Sequence, residues 1–355
     1  MPGLCRGRAG HAASGERVTF GRQEGGCLLN SLVRSLPVVI LSPHSRCNCR
    51  CVMCDIWKDS SSAEIGVDEL KRHLEDFERL SVQWVVLSGG EPLMHSDLFR
   101  LCALLRQRSI RITLLSTGLL LERNAAAILD SVDDVIVSLD GPPAIHDRIR
   151  RVHGAFALLQ RGVEAIHRLR PEFPISGRST VQRQNYFCLR QTAATAKQIG
   201  LQSISFLAAD VTSTAFNRPQ GWIPERQDEV ALTQSDIEPL EQEIERLIGE
   251  FGATEFLRES PEKLARIVLH YRAHLNVCEP VSPRCNAPWV SAVIESDGAV
   301  RPCFFHKPVG NVKSRSFFEV LNSPEAQDFR QRLDVATNPI CRRCVCSLNL
   351  ESLPQ

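Results

Sequence analysis

The stretch Cys47-Asn48-Cys49-Arg50-Cys51-Val52-Met53-Cys54 places four cysteines in eight residues. It follows an apolar run, Leu36 to Leu41, that ends in Ser42-Pro43. Core packing does not call for thiols at this density. A tight loop of thiolates just after a strand makes a metal site, and soft ligands select zinc or iron–sulfur. Zinc ligands usually come as two CxxC or CxxH pairs. Cys47, Cys51 and Cys54 read instead as CxxxCxxC, with Cys49 a spare thiol that competes with Cys51 for one role. Three thiolates on a four-iron cluster leave one iron open to a substrate or cofactor. A zinc knuckle is the alternative.

With 355 residues the chain can bury a large core, as one barrel with a small appendage or as two domains. Lys+Arg 42 against Asp+Glu 41 gives a net charge of +1 and no electrostatic reason to invoke nucleic acid. The Arg-containing segment His146 to His153 reads as a solvated loop and helix start. No run approaches the roughly 18–20 apolar residues that span a bilayer, so no membrane partner is expected. Met1 to Gly26 is rich in Gly and Arg and lacks an apolar h-region; it reads as a disordered leader, not a secretory signal. Fourteen cysteines could indicate a secreted, oxidised chain, but these thiols cluster at metal-ligand spacings. A reduced, cytoplasmic location is therefore expected.

Beyond the cysteine loop, helix and strand patterns alternate. Ile65 to Leu80 carries an amphipathic helical stripe, and Val82 to Leu87 is a short apolar strand. The series continues with helix His95–Arg108, strand Ile110–Leu115, helix Glu122–Ser131 and strand Val135–Leu139. Helix Gly154–Arg168, strand Phe173–Val181, helix Cys188–Ile199 and strand Ser203–Leu207 complete it. Six strands joined by helices predict a parallel sheet with right-handed crossovers, wound as a barrel that is not fully closed. Chemistry in such sheets sits beyond the carboxyl ends of the strands. There the chain has Ser88-Gly89-Gly90-Glu91-Pro92 after the second strand and Ser116-Thr117-Gly118 after the third. Val137-Ser138-Leu139-Asp140-Gly141-Pro142 ends the fourth, with His146, Asp147 and Arg150 following.

These motifs together resemble the radical S-adenosylmethionine (SAM) enzymes: CxxxCxMC after the first strand, GGEP after the second, VSLDG at the fourth, then HDxxR. The resemblance implies a partial (β/α)6 TIM-like barrel, with a [4Fe–4S] cluster on Cys47, Cys51 and Cys54 whose fourth iron is chelated by SAM. It implies that Gly89, Gly90 and Glu91 bind the SAM amino group, and that Thr117 lies at a ribose or carboxylate contact, although the family usually has Thr-Asn there. Ser138 and Asp140 alternate on one strand face and can both reach ribose hydroxyls; taken alone, Asp140 is as well explained as a cap ahead of Pro142. Arg178 can point into the barrel and pair with the SAM carboxylate, or with an Asp or Glu inside the barrel.

The C-terminal zone carries Cys278, Cys285, Cys303, Cys341, Cys344 and Cys346. Trp289 to Glu295 reads as a strand, Ser296-Asp297-Gly298 as a hairpin turn, and Val300 to Phe304 as the returning strand. Cys285, Cys303, Cys341 and Cys344 gather on this small scaffold, which has too few apolar residues to stand without a metal. The Cys, GxxxxC, CxxC order resembles the SPASM/twitch extension of radical SAM enzymes, which implies one auxiliary [4Fe–4S] cluster here. Cys278 and Cys346 are spare candidates, and structural zinc is the alternative. The expected divisions are 1–35 leader, 36–210 barrel, 211–277 helical bridge and 278–355 small cysteine-rich β-hairpin/helix domain.

By resemblance, the chain cleaves SAM to a 5′-deoxyadenosyl radical that abstracts hydrogen from a substrate, with electrons from an external flavodoxin- or ferredoxin-type donor. A two-electron oxidation of a small molecule of sugar or nucleoside type is expected, because fewer residues precede Cys47 than the roughly 80 of a peptide-binding domain. Peptide maturation and redox-neutral decarboxylation or epimerisation are alternatives. A non-enzymatic zinc protein that binds a partner is the rival from another class; it leaves Ser88–Pro92 and Val137–Gly141 unexplained.

Overall fold

Strands β1 (Val38–Leu41), β2 (Trp84–Leu87), β3 (Arg111–Ser116), β4 (Asp134–Ser138), β5 (Ile175–Val181) and β6 (Ile204–Ala208) are short and separated by helices, so adjacent strands can pair only in parallel. The computed structural model describes residues 32–350. In it the six strands lie in chain order, each parallel to the next. Burial alternates along β2, β4 and β6. Val85, Leu87, Val135, Val137, Ile204 and Phe206 are buried. Trp84, Val86, Ile136, Ser138, Ser205 and Leu207 are half-buried on the opposite, concave face. At the amino ends of the strands Trp84 donates to Thr113 (2.9 Å), Thr113 to Asp134 (3.1 Å) and Arg111 to Asp134 (2.8 Å). The open end is therefore the carboxyl end, where every motif emerges.

The hairpin is not free-standing. Strand β7 (Ser291–Ile294) pairs parallel to β1, with Val38 opposite Ser291, and β8 (Ala299–Arg301) and β9 (Gly310–Asn311) follow antiparallel. The sheet thus has nine strands in the order β6-β5-β4-β3-β2-β1-β7-β8-β9. All four residues of β7 are buried, so this strand needs cover on both faces, and the free edge of β1 supplies its ladder. Phe77 and Phe317 stack at 5.3 Å with both rings fully buried, tying the first helical crossover to the C-terminal helix Phe317–Leu321.

The expected helix Ile65–Leu80 is two, Val67–Lys71 and Leu74–Arg79. The His73 N–H bonds to Leu70 O, three residues back instead of four, and the tightened turn breaks the run. Trp289 belongs to a helical turn, Ala287–Val290, opened by Pro288 at its first positions, and not to the strand. Helices Ile237–Phe251 and Pro261–His274 span the residues expected of them. The second of these packs on β6: the buried Tyr271 hydroxyl donates to Val181 O (2.6 Å) and accepts from Ala209 N (3.2 Å). The leader expected over 1–35 lies outside the described residues except at its end, where Val33 N donates to Asn322 Oδ1 (2.8 Å) and Asn322 Nδ2 donates to Val33 O (3.2 Å).

Candidate iron–sulfur and SAM sites

The cysteine loop is stitched to the Pro143–Arg150 helix: Arg50 N donates to Arg150 O (3.1 Å) and Val52 N to Ile149 O (3.0 Å). Arg150, buried, then bridges two of the predicted positions. One guanidinium nitrogen lies 3.5 Å from Cys51 Sγ and the other 2.5 Å from Asp140 Oδ2. The remaining Asp140 oxygen accepts the Thr180 N–H at 2.8 Å. Asp140 is fully buried; its carboxylate is engaged by Arg150 and Thr180 under the loop, and a ribose contact would have to displace these partners. Neither Arg150 nor its link to the loop follows from the strand pattern; the HDxxR spacing was the available signal.

Cys51 is close enough to Cys47 and Cys54 to raise the pKa of both, and Cys54 adds to the rise at Cys47. Burial pushes the Cys47 and Cys54 thiols up to about 12. The Cys49 thiol, hydrogen-bonded to Cys51, brings Cys51 down to about 7, with Arg150 assisting. Thiols that resist ionising together in a buried loop need a cationic centre to hold them as thiolates. Cys49 is completely buried against Cys51.

Gly89 and Gly90 lie directly against this loop. Gly89 has φ +97°, and a Cβ there would stand 2.7 Å from Ser42 Cβ; a Cβ on Gly90 would fall 2.0 Å from Arg46 O. Only glycine lets the backbone pass. The Glu91 side chain does not face the cleft. It is fully buried and accepts from Leu93 N (3.1 Å), Ser116 Oγ (3.1 Å), Thr117 N (2.7 Å) and Thr117 Oγ1 (2.6 Å). Burial raises its pKa despite these donors. Glu91 thus clamps the β2 and β3 loops, and what the motif offers a ligand is the Gly89–Gly90 backbone. Thr117 Oγ1 also lies 2.9 Å from Asn48 of the cysteine loop. A cleft bounded by Ser42, Gly89, Gly90, Asn217, Ser296 and Phe304 opens above these glycines.

Ser138 is half-buried on the concave face, level with Arg178 across the β4–β5 register. Arg178 is exposed there and donates to Ser205 Oγ at 3.4 Å, with no ion pair among the described residues. It lines a second cavity, away from the glycines, together with Cys344 and Cys346.

At the other end of the chain Cys285, Cys303, Cys341 and Cys344 line one small cavity, walled by Pro283, Pro288, Phe305 and Ile340. Burial raises Cys303 to about 12 and Cys341 to about 11, and neighbouring thiols add to both. Cys278 lines a different surface hollow, its Sγ 3.8 Å from Leu269 O. Cys346 faces the Arg178 cavity. Sequence reasoning missed His306, whose Nε2 lies 3.5 Å from Cys341 Sγ and whose ring packs on Phe329; the Cys303-x-x-His306 spacing was its signal. The loop offers sulfur donors, and the C-terminal cavity offers four thiols with His306 also on its wall; thiolate-rich sets of this kind fit iron–sulfur clusters.

A partial parallel barrel with one thiolate loop at its carboxyl end and a second thiolate site beside it defines an iron–sulfur enzyme class. Residues 41–193 match the Radical SAM superfamily and residues 285–345 the SPASM iron–sulfur cluster-binding domain. The chain belongs to the radical SAM superfamily, with a SPASM-type auxiliary cluster domain, and its cofactors are a SAM-binding [4Fe–4S] cluster, SAM and an auxiliary cluster. It is 26% identical over 305 residues to the AdoMet-dependent heme synthase of Methanosarcina barkeri, covering 81% of this chain and 82% of that one. It is 33% identical over 157 residues to the Fe-coproporphyrin III synthase of the same organism, 42% of this chain but only 38% of that relative. Streptococcus suis SuiB bound to S-adenosylmethionine superposes with a TM-score of 0.64 at 13% identity, over 90% of this chain and 74% of that one, and shares the fold. No helix among the described residues is long and apolar enough to cross a membrane.

Proposed function

We propose that Cys47, Cys51 and Cys54 hold the SAM-binding cluster, that Cys285, Cys303, Cys341 and Cys344 hold the auxiliary one, and that the enzyme carries out a two-electron oxidation of a small molecule. The bound cofactors supply a 5′-deoxyadenosyl radical that removes a hydrogen atom from the substrate, and an acceptor for the second electron. The observation that carries the oxidation is the convergence of four thiols on one cavity. Four protein thiolates occupy every iron of a four-iron cluster, so no iron is left to bind substrate; we assign the cluster to electron acceptance, with a structural role in a redox-neutral reaction the alternative.

The chain's own groups have distinct tasks in this reading. The Gly89–Gly90 backbone receives the SAM amino group, with Glu91 holding that backbone in place. Ser138 offers a hydroxyl to SAM on the concave face, Thr117 is held in the Glu91 clamp, and Arg178, level with Ser138, offers a guanidinium without an ion pair to an anionic group. Arg150 donates to Cys51 and is held by Asp140, which makes Asp140 a positioning residue. The names of the sequence relatives favour a small molecule and widen the class from sugars and nucleosides to tetrapyrroles, with peptide maturation the alternative. A flavodoxin- or ferredoxin-type protein supplies the first electron. The metal-ligand spacing of the cysteines favours a reduced, cytoplasmic compartment.

The test is anaerobic reconstitution of the full chain followed by dithionite and SAM. Formation of 5′-deoxyadenosine and methionine, lost in Cys54→Ala, supports the reading; bound zinc with no nucleoside contradicts it.

A further inference from the structure

We infer that the cavity between β5, β6, the Pro261–His274 helix and the 342–347 segment binds the anionic part of the substrate, a small molecule with an apolar body and two or more carboxylate or phosphate groups. This rests on the two-cluster reading above and specifies its substrate class.

The chain as a whole is balanced, with 42 basic against 41 acidic residues. The cavity is not. Arg178, Lys263, Arg266 and Arg343 line it against one carboxylate, Glu259, and none of the four forms an ion pair among the described residues. Glu259 is itself engaged, accepting the Phe206 N–H at 2.9 Å. Arg342 lines the same cavity but is already satisfied by Glu279 (3.1 Å) and Pro280 O (3.0 Å), so it is not counted. With Arg178 left out, Lys263, Arg266 and Arg343 remain. Like charges gathered around one hollow repel one another, and an anionic ligand relieves that repulsion.

Two further observations favour a ligand. Leu207, Ile267 and Val281 give the same cavity apolar wall, which suits a molecule with a hydrophobic body. The site also opens on the concave face: Arg178 is level with Ser138, and Cys344, shared with the auxiliary site, forms part of the wall. Compensation of the cluster's own negative charge is the competing explanation. It accounts for Arg266, which feels Cys344 and Cys285. Lys263 sits instead beside Cys346 and Glu259, so cluster compensation leaves it unused.

The experiment is calorimetric titration of SAM-saturated holoenzyme with tricarballylate and with inorganic phosphate, alongside Lys263→Gln and Arg343→Gln. Both side chains are exposed, so neither substitution removes packing. At least one probe is expected to bind, with a Kd that rises about tenfold between low and roughly 0.5 M salt. Each variant is expected to weaken it by about three- to tenfold at unchanged iron content, and Lys263→Gln at unchanged auxiliary-cluster potential. Preference for tricarballylate identifies carboxylates as the recognised groups, and preference for phosphate identifies phosphates; either supports the inference. Binding of neither probe, or binding that both variants leave unchanged, overturns it. So does a shift of the auxiliary-cluster potential in the variants with anion binding unaltered, which would assign the cations to the cluster. Nucleoside formation is read on the same preparation: if it persists while the anions fail, only this inference falls, and if it is absent the radical reading falls first.

Discussion

The two thiolate sites are built in opposite ways. Cys47, Cys51 and Cys54 come from one eight-residue loop held by the barrel, through two backbone bonds to the Pro143–Arg150 helix and through Arg150 itself. Cys285, Cys303, Cys341 and Cys344 come from segments as much as 59 positions apart in sequence, on short elements around one cavity. The backbone of the first site is held in place by the fold. The second has a sheet strand, β7, anchored to β1, but its late CxxC pair hangs on a four-residue helix, Pro339–Arg342, capped by Asn338. A preformed site spends little of its binding energy on ordering the chain, whereas a dispersed one folds as it binds.

The largest effect should come from striking the first site. Cys51→Ala should reduce 5′-deoxyadenosine formation to background by chromatographic assay, and residual cleavage near the parent rate would show that Cys49 can take its place. Removal of both clusters by an iron chelator should separate the two regions. Hydrogen exchange should rise across 335–350 while the 47–54 loop and β1 to β6 keep most of their protection; uniform loss would erase the contrast. Arg150→Met should cost about 3–5 kcal/mol of stability, because it leaves Asp140 as an uncompensated buried charge. Denaturant unfolding of the apoprotein measures it, and a change within about 0.5 kcal/mol would mean that Asp140 is neutral in the fold.

Much of the barrel and of the site was legible because its signals are local. Six strands with helices between them, cysteines at CxxxCxxC spacing and a Gly-Gly turn each announce themselves within a few residues. What was not legible depends on contacts far apart in the chain. Nothing near Ser291 says that β7 will extend the sheet from β1, since an edge strand's partner is chosen by tertiary packing. Alternation put Ser138 and Asp140 on one face, but only the fold shows that Asp140 is consumed by Arg150 and Thr180. Glu91 likewise reads as a ligand beside two glycines, and its burial beneath Ser116 and Thr117 required β3 to be in place. His306 was hidden among residues chosen for their cysteines.

The smallest predicted effect sharpens the same contrast at its margin. Asn322→Ala should cost about 1–2 kcal/mol by removing the pair of hydrogen bonds to Val33, and should leave both clusters intact. Loss of iron in that variant would show that the C-terminal site depends on the segment ahead of β1.

The most direct test of the account is iron-57 Mössbauer spectroscopy with iron counting on the Cys47→Ala/Cys51→Ala/Cys54→Ala variant beside the parent chain. The account predicts about eight irons per chain in the parent and about four in the variant, with the remaining cluster insensitive to added SAM. A variant that retains eight irons, or one that retains none, would contradict the assignment of two separate clusters to these two sets of cysteines.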